Sequence, residues 1–351
     1  SLRAATDVVL ATTSRRAPTL APPHDHRADS TDARDARDAS ASANEPRTRT
    51  NDPRAAVQRA RALLCSVTLM IEADDDLARE RFAFDSDRAD FDLLRAAALL
   101  PRIESRDPDV DAVVTAVDGW AGEVRDDMKK RASSWQAPLD ALVSVLFSRV
   151  RLRGDQEEYD DPRTSFLAEV IERRRGLPIT LSLLVVETAK RAGLVSCGLA
   201  LPRHFMSGVM LKKRADADAG DLFFVDAFHG QVLPVQDVAR RVGLPVDELA
   251  EHLSPASSDA ILVRMLTNLR QSYLRRQDAH ACLRVLSRLL LLMPRLAALH
   301  LERAHLKSAI GDAGGALLDA QTGLKLARDP DERDAAERIL EKLTKLSGWV
   351  H

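Results

Sequence analysis

The sequence predicts an α+β protein with helices at both ends. Three observations carry this. Four apolar-periodic stretches separated by short breaks fill residues 54–150. One helix that is apolar almost all round, PITLSLLVVETAKRA, is followed by three short strand-like runs. From about Ser257 the pattern turns helical again and repeats with a period near 34–36 residues. A buried helix next to short, turn-separated strands is the signature of an α+β core rather than an alternating parallel sheet.

The first fifty residues differ from everything after them. They are rich in Ala, Ser, Thr, Arg, Asp and Pro, include DARDARDAS, and offer little to bury. Such a stretch cannot offset its chain entropy, so residues 1–53 read as a disordered tail. Residues 1–20 are rich in Ser, Thr, Ala and Arg with a single acid, the composition of a chloroplast or mitochondrial transit segment. The Asp-rich continuation fits that address less well, and a cytoplasmic protein with a plain tail is the alternative.

From Arg54, Val57, Leu63, Leu64, Val67, Leu69, Met70 and Ile71 suggest a first helix. In residues 87–100, Phe91, Leu94 and Ala98 share one helical face, with Pro101 expected to stop it. Asp107-Pro108 opens a third helix and Pro138 a fourth. The Asp160-Asp161-Pro162 turn precedes a helix capped by Thr164 or Ser165 and ended by Gly176, with Arg173, Arg174 and Arg175 in its last turn. Pro178 suits the first position of the next helix, where its missing N–H costs nothing. Val195–Leu201, His204–Leu211 and Leu222–Phe228 are the strands, the last two forming an antiparallel hairpin around the polar tip RADADAGD.

In the C-terminal region, Leu266, Leu269, Tyr273, Cys282, Leu286, Leu289 and Pro294 fall at the spacing of one tetratricopeptide unit. Ala304, Gly311, Ala316, Ala320 and Pro330 form a looser copy. Two units and a terminal helix are too few for a free-standing solenoid, so residues 257–351 are expected to pack on the core formed by residues 54–253.

Composition narrows function. Lys plus Arg (51) nearly balances Asp plus Glu (53), which gives no electrostatic case for nucleic acid or an anionic membrane. No apolar run reaches the roughly 18 residues of a membrane span, so a soluble protein is expected. Cys65, Cys197 and Cys282 lie far apart without metal-ligand spacing, as suits a reducing compartment. There is no GxGxxG or Walker-type loop and no zinc or calcium pattern, so no cofactor is expected.

The chemistry-bearing order is a helix, then His204 in PRHF, then Asp226 in FVDAFHG. The run LFSRVRLRGDQEEYDDPRTSFLAEVIERRRGLPITLSLLVVETAKRAGL, with LPRHF and FVDAFHG, resembles the SirB-type transglutaminase-like proteins over roughly residues 80–330. That resemblance implies a cysteine-protease-like α+β core joined to tetratricopeptide repeats. It matches His204 to the family's catalytic His and Asp226 to the Asp that orients it. In active relatives a Cys stands at the start of the central helix, where the helix dipole and the His lower its pKa. Here that place falls at Pro178-Ile179, and neither side chain is a nucleophile. Arg203 stands where the family often has a small residue.

Each candidate residue also has a structural reading. His204 is a remnant base or a histidine hydrogen-bonded inside the sheet, and Asp226 its orienter or a turn-forming Asp. Thr180, Ser182 and Cys197 are candidate relocated nucleophiles. The alternatives are backbone-bonded hydroxyls and a buried structural thiol. Arg175, Arg203 and His229 are candidate pocket or anion contacts. A solvated helix end and a solvated or backbone-bonded His are the plainer readings.

Three functions compete. The favoured one is a non-catalytic protein that binds a protein or peptide through its repeat face. The second is a thiol- or hydroxyl-dependent amidase or acyl-transferase using His204 and Asp226. The third is an assembly factor acting through residues 257–346 alone.

Overall fold

The computed structural model describes residues 90–131, 134–212 and 221–347, preceded by Leu77, Glu80, Arg81, residues 83–85, Asp87 and Arg88. The expected tail, transit segment and first helix (residues 1–71), together with Cys65 and most of the RADADAGD tip, lie outside the described residues.

Helix α1 (Leu93–Ala98) begins where Asp92 accepts the Arg95 amide N–H. Pro101 does not end the helical path, contrary to expectation. It sits near the start of a 3-10 turn (Leu100–Glu104), where a missing N–H is tolerated, and Ser105 in the left-handed region (φ 56°) makes the stop. Helix α2 (Val110–Lys130) is capped by Asp109 and buries Val113, Val117, Ala121 and Val124. Helix α3 (Ala137–Val143) continues as a π-helical segment (Ser144–Arg149), and the Val150 N–H reaches back to the Val145 carbonyl.

Strand β1 (Arg153–Gly154) pairs in parallel with β2 (Arg175–Gly176). Gly154 is required by packing: a Cβ there would stand 2.4 Å from the Phe228 ring. Neither Thr164 nor Ser165 caps the helix that follows, which starts after Phe166 without a side-chain cap; Asp161 caps the turn before it. It accepts the Arg163 N–H and starts a 3-10 turn (Pro162–Ser165) ahead of α4 (Leu167–Arg173). Arg174 in the left-handed region (φ 59°) ends α4, and Gly176 belongs to β2.

The central helix α5 (Pro178–Arg191) buries every residue from Ile179 to Ala189, as expected for a helix apolar around most of its circumference. The main sheet has the order β3 (Val195–Leu201), β4 (His204–Leu211), β5 (Asp221–Asp226), β6 (Gln231–Leu233), antiparallel throughout. The third strand ends two residues before the expected Phe228, because 227–230 turn into β6.

Side chains alternate across a strand, and the two faces of this sheet meet different partners. Leu199, Leu201, Met206, Phe224 and Leu233 form one apolar cluster with Val238, Ala239 and Val242 of α6 (Val235–Val242) and Leu249 of α7 (Val246–Leu249). The opposite face lies on α5. Ser207 Oγ donates to the Ser182 carbonyl at 3.2 Å, and Ser196 Oγ donates to the Val186 carbonyl at 3.0 Å.

Five helices complete the described residues: α8 (Ser258–Arg275), α9 (Ala279–Leu292), α10 (Ala297–Ala309), α11 (Ala313–Leu326) and α12 (Pro330–Ser347). Ser257, Asp278 and Asp312 cap α8, α9 and α11 by accepting backbone N–H groups. Polar ties fasten the first pair to the rest of the fold. Tyr273 Oη donates to Glu104 at 2.8 Å, Arg284 Nε donates to the Ile103 carbonyl, and Arg288 Nη2 meets Glu80 at 2.6 Å. Among the described residues no helix is long and apolar enough to cross a membrane.

Candidate functional site

The hairpin that delivers His204 is tight. Leu201 pairs with His204, so Pro202 and Arg203 form a two-residue loop, and Arg203 takes the left-handed conformation (φ 59°). A non-glycine residue there carries strain of roughly 1–2 kcal/mol. At the end of β5, Asp226 folds the chain back. Its Oδ1 accepts the backbone N–H of Phe228 at 3.0 Å and of His229 at 3.2 Å. Asp226 is therefore a turn-forming residue.

The other carboxylate oxygen, Oδ2, accepts Arg241 Nη1–H from α6 and lies 2.7 Å from His229 Nδ1. His229 Nδ1 also stands 3.2 Å from Arg241 Nη1, so the carboxylate, the ring and the guanidinium form one cluster. Phe228 sets an edge against the His229 ring with centroids 5.2 Å apart. His229 keeps 48% of its side chain exposed while its ring lies beside the Asp226 carboxylate. It is the direct side-chain partner of Asp226, together with Arg241.

His204 has no hydrogen bond to Asp226 among the described residues. It has the strand parity of Met206, which places it on the α6 side of the sheet. Asp226 reaches it by charge alone, whereas Arg241 reaches it by charge and through its backbone. The His204 pKa is pushed below the ordinary histidine value. Burial is the main cause, the Arg241 guanidinium adds to it, and the Asp226 carboxylate opposes both.

The candidate nucleophiles lie elsewhere. Thr180 and Ser182 stand on α5, beneath the opposite face of the sheet. Thr180 Oγ1 is buried without a hydrogen-bond partner, and Ser182 Oγ lies 3.5 Å from the Phe205 carbonyl. Cys197 shares the His204 face but pairs with Gly208, four residues along β3 from Leu201. At about 3.3 Å per residue that is roughly 13 Å. Its thiol is pushed up by burial, the opposite of activation. The helix start itself presents Pro178 and Ile179, and Leu177 gives it no side-chain cap.

The basic run is consumed internally. Arg173 pairs with Glu158 and lies 3.4 Å from Asp155, Arg174 Nη1 donates to the Val150 carbonyl at 2.5 Å, and Arg175 stands 3.8 Å from Glu157. Together these hold the 153–158 loop against α4 and β2. Arg203 is exposed beside His204. Among the described residues no three His, Cys, Asp or Glu side chains gather as metal ligands.

Two residues that the sequence does not single out shape this region. Arg241 is hidden in the amphipathic pattern of α6, where it has the look of a solvated last-turn cation. Arg264 of α8 occupies what reads as a repeat-scaffold position, yet its guanidinium lies over the Phe205 ring at 5.6 Å.

Comparison with known proteins places these features in a lineage. The family profile described as Transglutaminase-like superfamily matches residues 111–267, from within α2 to the middle of α8. The chain is 31% identical over 242 residues to a UPF0162 protein of Xylella fastidiosa, covering 67% of this chain and 83% of the relative. A UPF0162 protein of Pseudomonas aeruginosa is 31% identical over 195 residues, 54% of this chain and 69% of that protein. F-box only protein 21 of Homo sapiens is 29% identical over 133 residues, 37% of this chain and 21% of that much longer protein. No solved structure matches. The chain belongs to the UPF0162 family and carries a transglutaminase-like domain.

Proposed function

We propose that this protein is a transglutaminase-like binding protein that has no catalytic turnover. Its core is retained as a scaffold, and tetratricopeptide-type helices present a surface to a protein or peptide partner. The observation that carries the reading is the separation of the catalytic parts. The helix start offers Pro178 and Ile179, the hydroxyls of Thr180 and Ser182 lie across the sheet from His204, and Asp226 is bonded to His229 and Arg241. Nucleophilic catalysis needs the nucleophile and base within about 3 Å of each other, or room to close to that distance.

The occurrence of a related stretch inside the longer F-box only protein 21 fits a core used as a module within larger proteins. The SirB-type resemblance and the repeat pattern in residues 257–351 support the same architecture. In this reading the remnant His204 and Asp226 serve stability and shape. The enzyme alternative, with Cys197 or Thr180 as nucleophile, requires the sheet to rearrange before either could approach His204.

The test is turnover. Full-length protein and His204→Ala are incubated with a panel of peptide amides, glutamine-bearing peptides and thioesters. Equal, background-level release from both is expected. Release above background that disappears in His204→Ala would establish the enzyme reading instead.

A further inference from the structure

The sequence carries two similar short runs, Arg151-Leu152-Arg153-Gly154 and Arg173-Arg174-Arg175-Gly176, and the fold lays them side by side. In the parallel β1–β2 pair Arg153 stands opposite Arg175, and Gly154 opposite Gly176. Both glycine faces are covered. A Cβ at Gly154 would overlap the Phe228 ring, and one at Gly176 would stand 2.8 Å from Val170. Successive side chains on a strand point to opposite faces, so Arg153 and Arg175 are turned outward together. Neighbouring strands lie only about 4.8 Å apart. Like charges directly opposite each other destabilise a strand pair.

The described fold does little to offset this. Among the described residues the Arg151 and Arg153 side chains make no ion pair or hydrogen bond, and both are exposed. Arg151 also holds a left-handed backbone (φ 65°), which is strained for an arginine and natural for a glycine. Arg175 has one acid, Glu157, at 3.8 Å, and that carboxylate is 86% exposed. A solvated pair at that distance contributes little. The other arginines of the second run are occupied, Arg173 by Glu158 and Arg174 by the Val150 carbonyl. Arg151, Arg153 and Arg175 therefore stand at the surface around one loosely held acid, on a chain whose net charge is -2.

We propose that the Arg153–Arg175 pair is a docking point for an acidic peptide segment of a partner protein, a carboxylate settling between the two guanidinium groups with Arg151 beside them. The guanidinium fork matches a carboxylate bidentately, which a lysine ammonium does not, and neither run contains a lysine. A long polyanion suits the place less, because Glu157, Glu158 and Asp160 lie on the loop that follows β1 and would repel it. A short segment with one or two acids meets the arginines without crossing that loop. The Gly154 N–H donates to the Phe228 carbonyl at 2.8 Å, so the strand pair abuts the turn that carries Asp226 and His229. This surface belongs to the core and not to the repeat helices, and it adds a second contact to the binding reading above.

The experiment uses the full chain and a fluorescein-labelled hexapeptide amide, Gly-Glu-Gly-Glu-Gly-Gly, beside its counterpart with Gln for Glu. Fluorescence anisotropy at low salt is expected to show the Glu peptide bound about tenfold tighter, the ratio of one charge-assisted contact. Arg153→Gln and Arg175→Gln should each remove most of the preference, and Arg153→Lys should keep part of it. Arg240→Gln, at an arginine paired with its own Asp237, should leave it unchanged. Thermal melting of Arg153→Gln should be unchanged or raised, because a like-charged neighbour is relieved. Equal binding of the two peptides, or binding of neither, overturns the proposal. A preference that survives Arg153→Gln and Arg175→Gln together overturns it as well. A single-stranded oligonucleotide that displaces the Glu peptide at lower concentration than the unlabelled peptide does would overturn the acidic-peptide assignment in favour of a polyanion. A lowered melting temperature for Arg153→Gln would show that the fold itself holds this arginine, against the argument made from its lack of a partner. None of these readouts depends on His204, so the non-catalytic reading stands or falls separately.

Discussion

Asp226 Oδ2 and His229 Nδ1 stand 2.7 Å apart, on residues three apart in sequence, at the turn that leaves β5. Arg241 from α6 shares the same oxygen, and the other oxygen accepts two backbone N–H groups. The carboxylate that would orient a catalytic base thus staples a turn to a helix. Asp226 is 5% exposed, and Asp226→Ala removes the acceptor of two backbone N–H groups and of Arg241, whose own side chain is 29% exposed. A loss of about 1–3 kcal/mol is expected, read by urea unfolding. His204→Ala, on a half-buried ring with no carboxylate bonded to it, should cost markedly less. The reverse order would restore His204 as the structural centre.

The charge around His204 is testable directly. Burial first, and then Arg241, hold its pKa below the ordinary value. Its ring resonances should titrate with a midpoint below about 6.5, and Arg241→Gln should move the midpoint upward. A midpoint above the ordinary value, as a catalytic ion pair with Asp226 would give, contradicts this placement of the ring.

Acid stability depends on the 156–161 loop. Burial alone would raise the Asp161 pKa. Hydrogen bonds from the Arg163 side chain and backbone, with the charge of Arg276, overrule it and hold the group at about 2. A depressed carboxylate contributes its stability above the unfolded pKa of about 3.9 and loses it as pH falls through the folded value. The window is therefore from about pH 4 down to about 2, worth roughly 2 kcal/mol. Asp161→Asn should flatten the stability curve across that window, and an unchanged slope would show that the Arg163 contact is not maintained in solution.

The buried pair between Glu80 and Arg288, at 0% and 3% side-chain exposure, joins the start of the described chain to α9. Arg288→Met alone should destabilise by about 3–5 kcal/mol, because it removes the arginine from a buried ion pair. Glu80→Leu combined with Arg288→Met should recover most of that loss. If the double variant is as unstable as the single one, the charge itself is not the source of the effect.

Arg203 offers a gain instead of a loss. Its left-handed backbone (φ 59°) is natural for glycine and strained for arginine. Arg203→Gly should stabilise the fold by about 1 kcal/mol, measured as a raised denaturant midpoint. A loss would mean that the exposed side chain makes a stabilising contact absent from the described geometry.

The elements most legible in the sequence are those with strong local signals. Residues 178–193 are apolar on most faces, and β3 and β4 are bracketed by Gly193, Pro202 and the polar tip. Elements set by tertiary contacts are not legible. Strands β1 and β2 are two residues each, and β6 is three, too short for any alternation to register. Pro101 misleads because a 3-10 turn accepts a proline that an α-helix interior would reject. At the site, His204 and Asp226 can be found as motif positions, but their partners depend on which face of the sheet each occupies. The Asp-x-x-His spacing of Asp226 and His229 is a usable turn signal. Nothing local distinguishes Arg241 or Arg264 from surface arginines, since their importance comes from helices that pack onto the sheet from distant parts of the chain.

The central claim is that no nucleophile is in service on this frame. The most direct test treats the full chain and His204→Ala with a broad thiol- and hydroxyl-reactive electrophile and maps the adducts by mass spectrometry over time. Slow labelling of Cys197, none above background at Thr180 or Ser182, and the same rates in both proteins are predicted. Rapid labelling of any of the three that collapses in His204→Ala would contradict the claim.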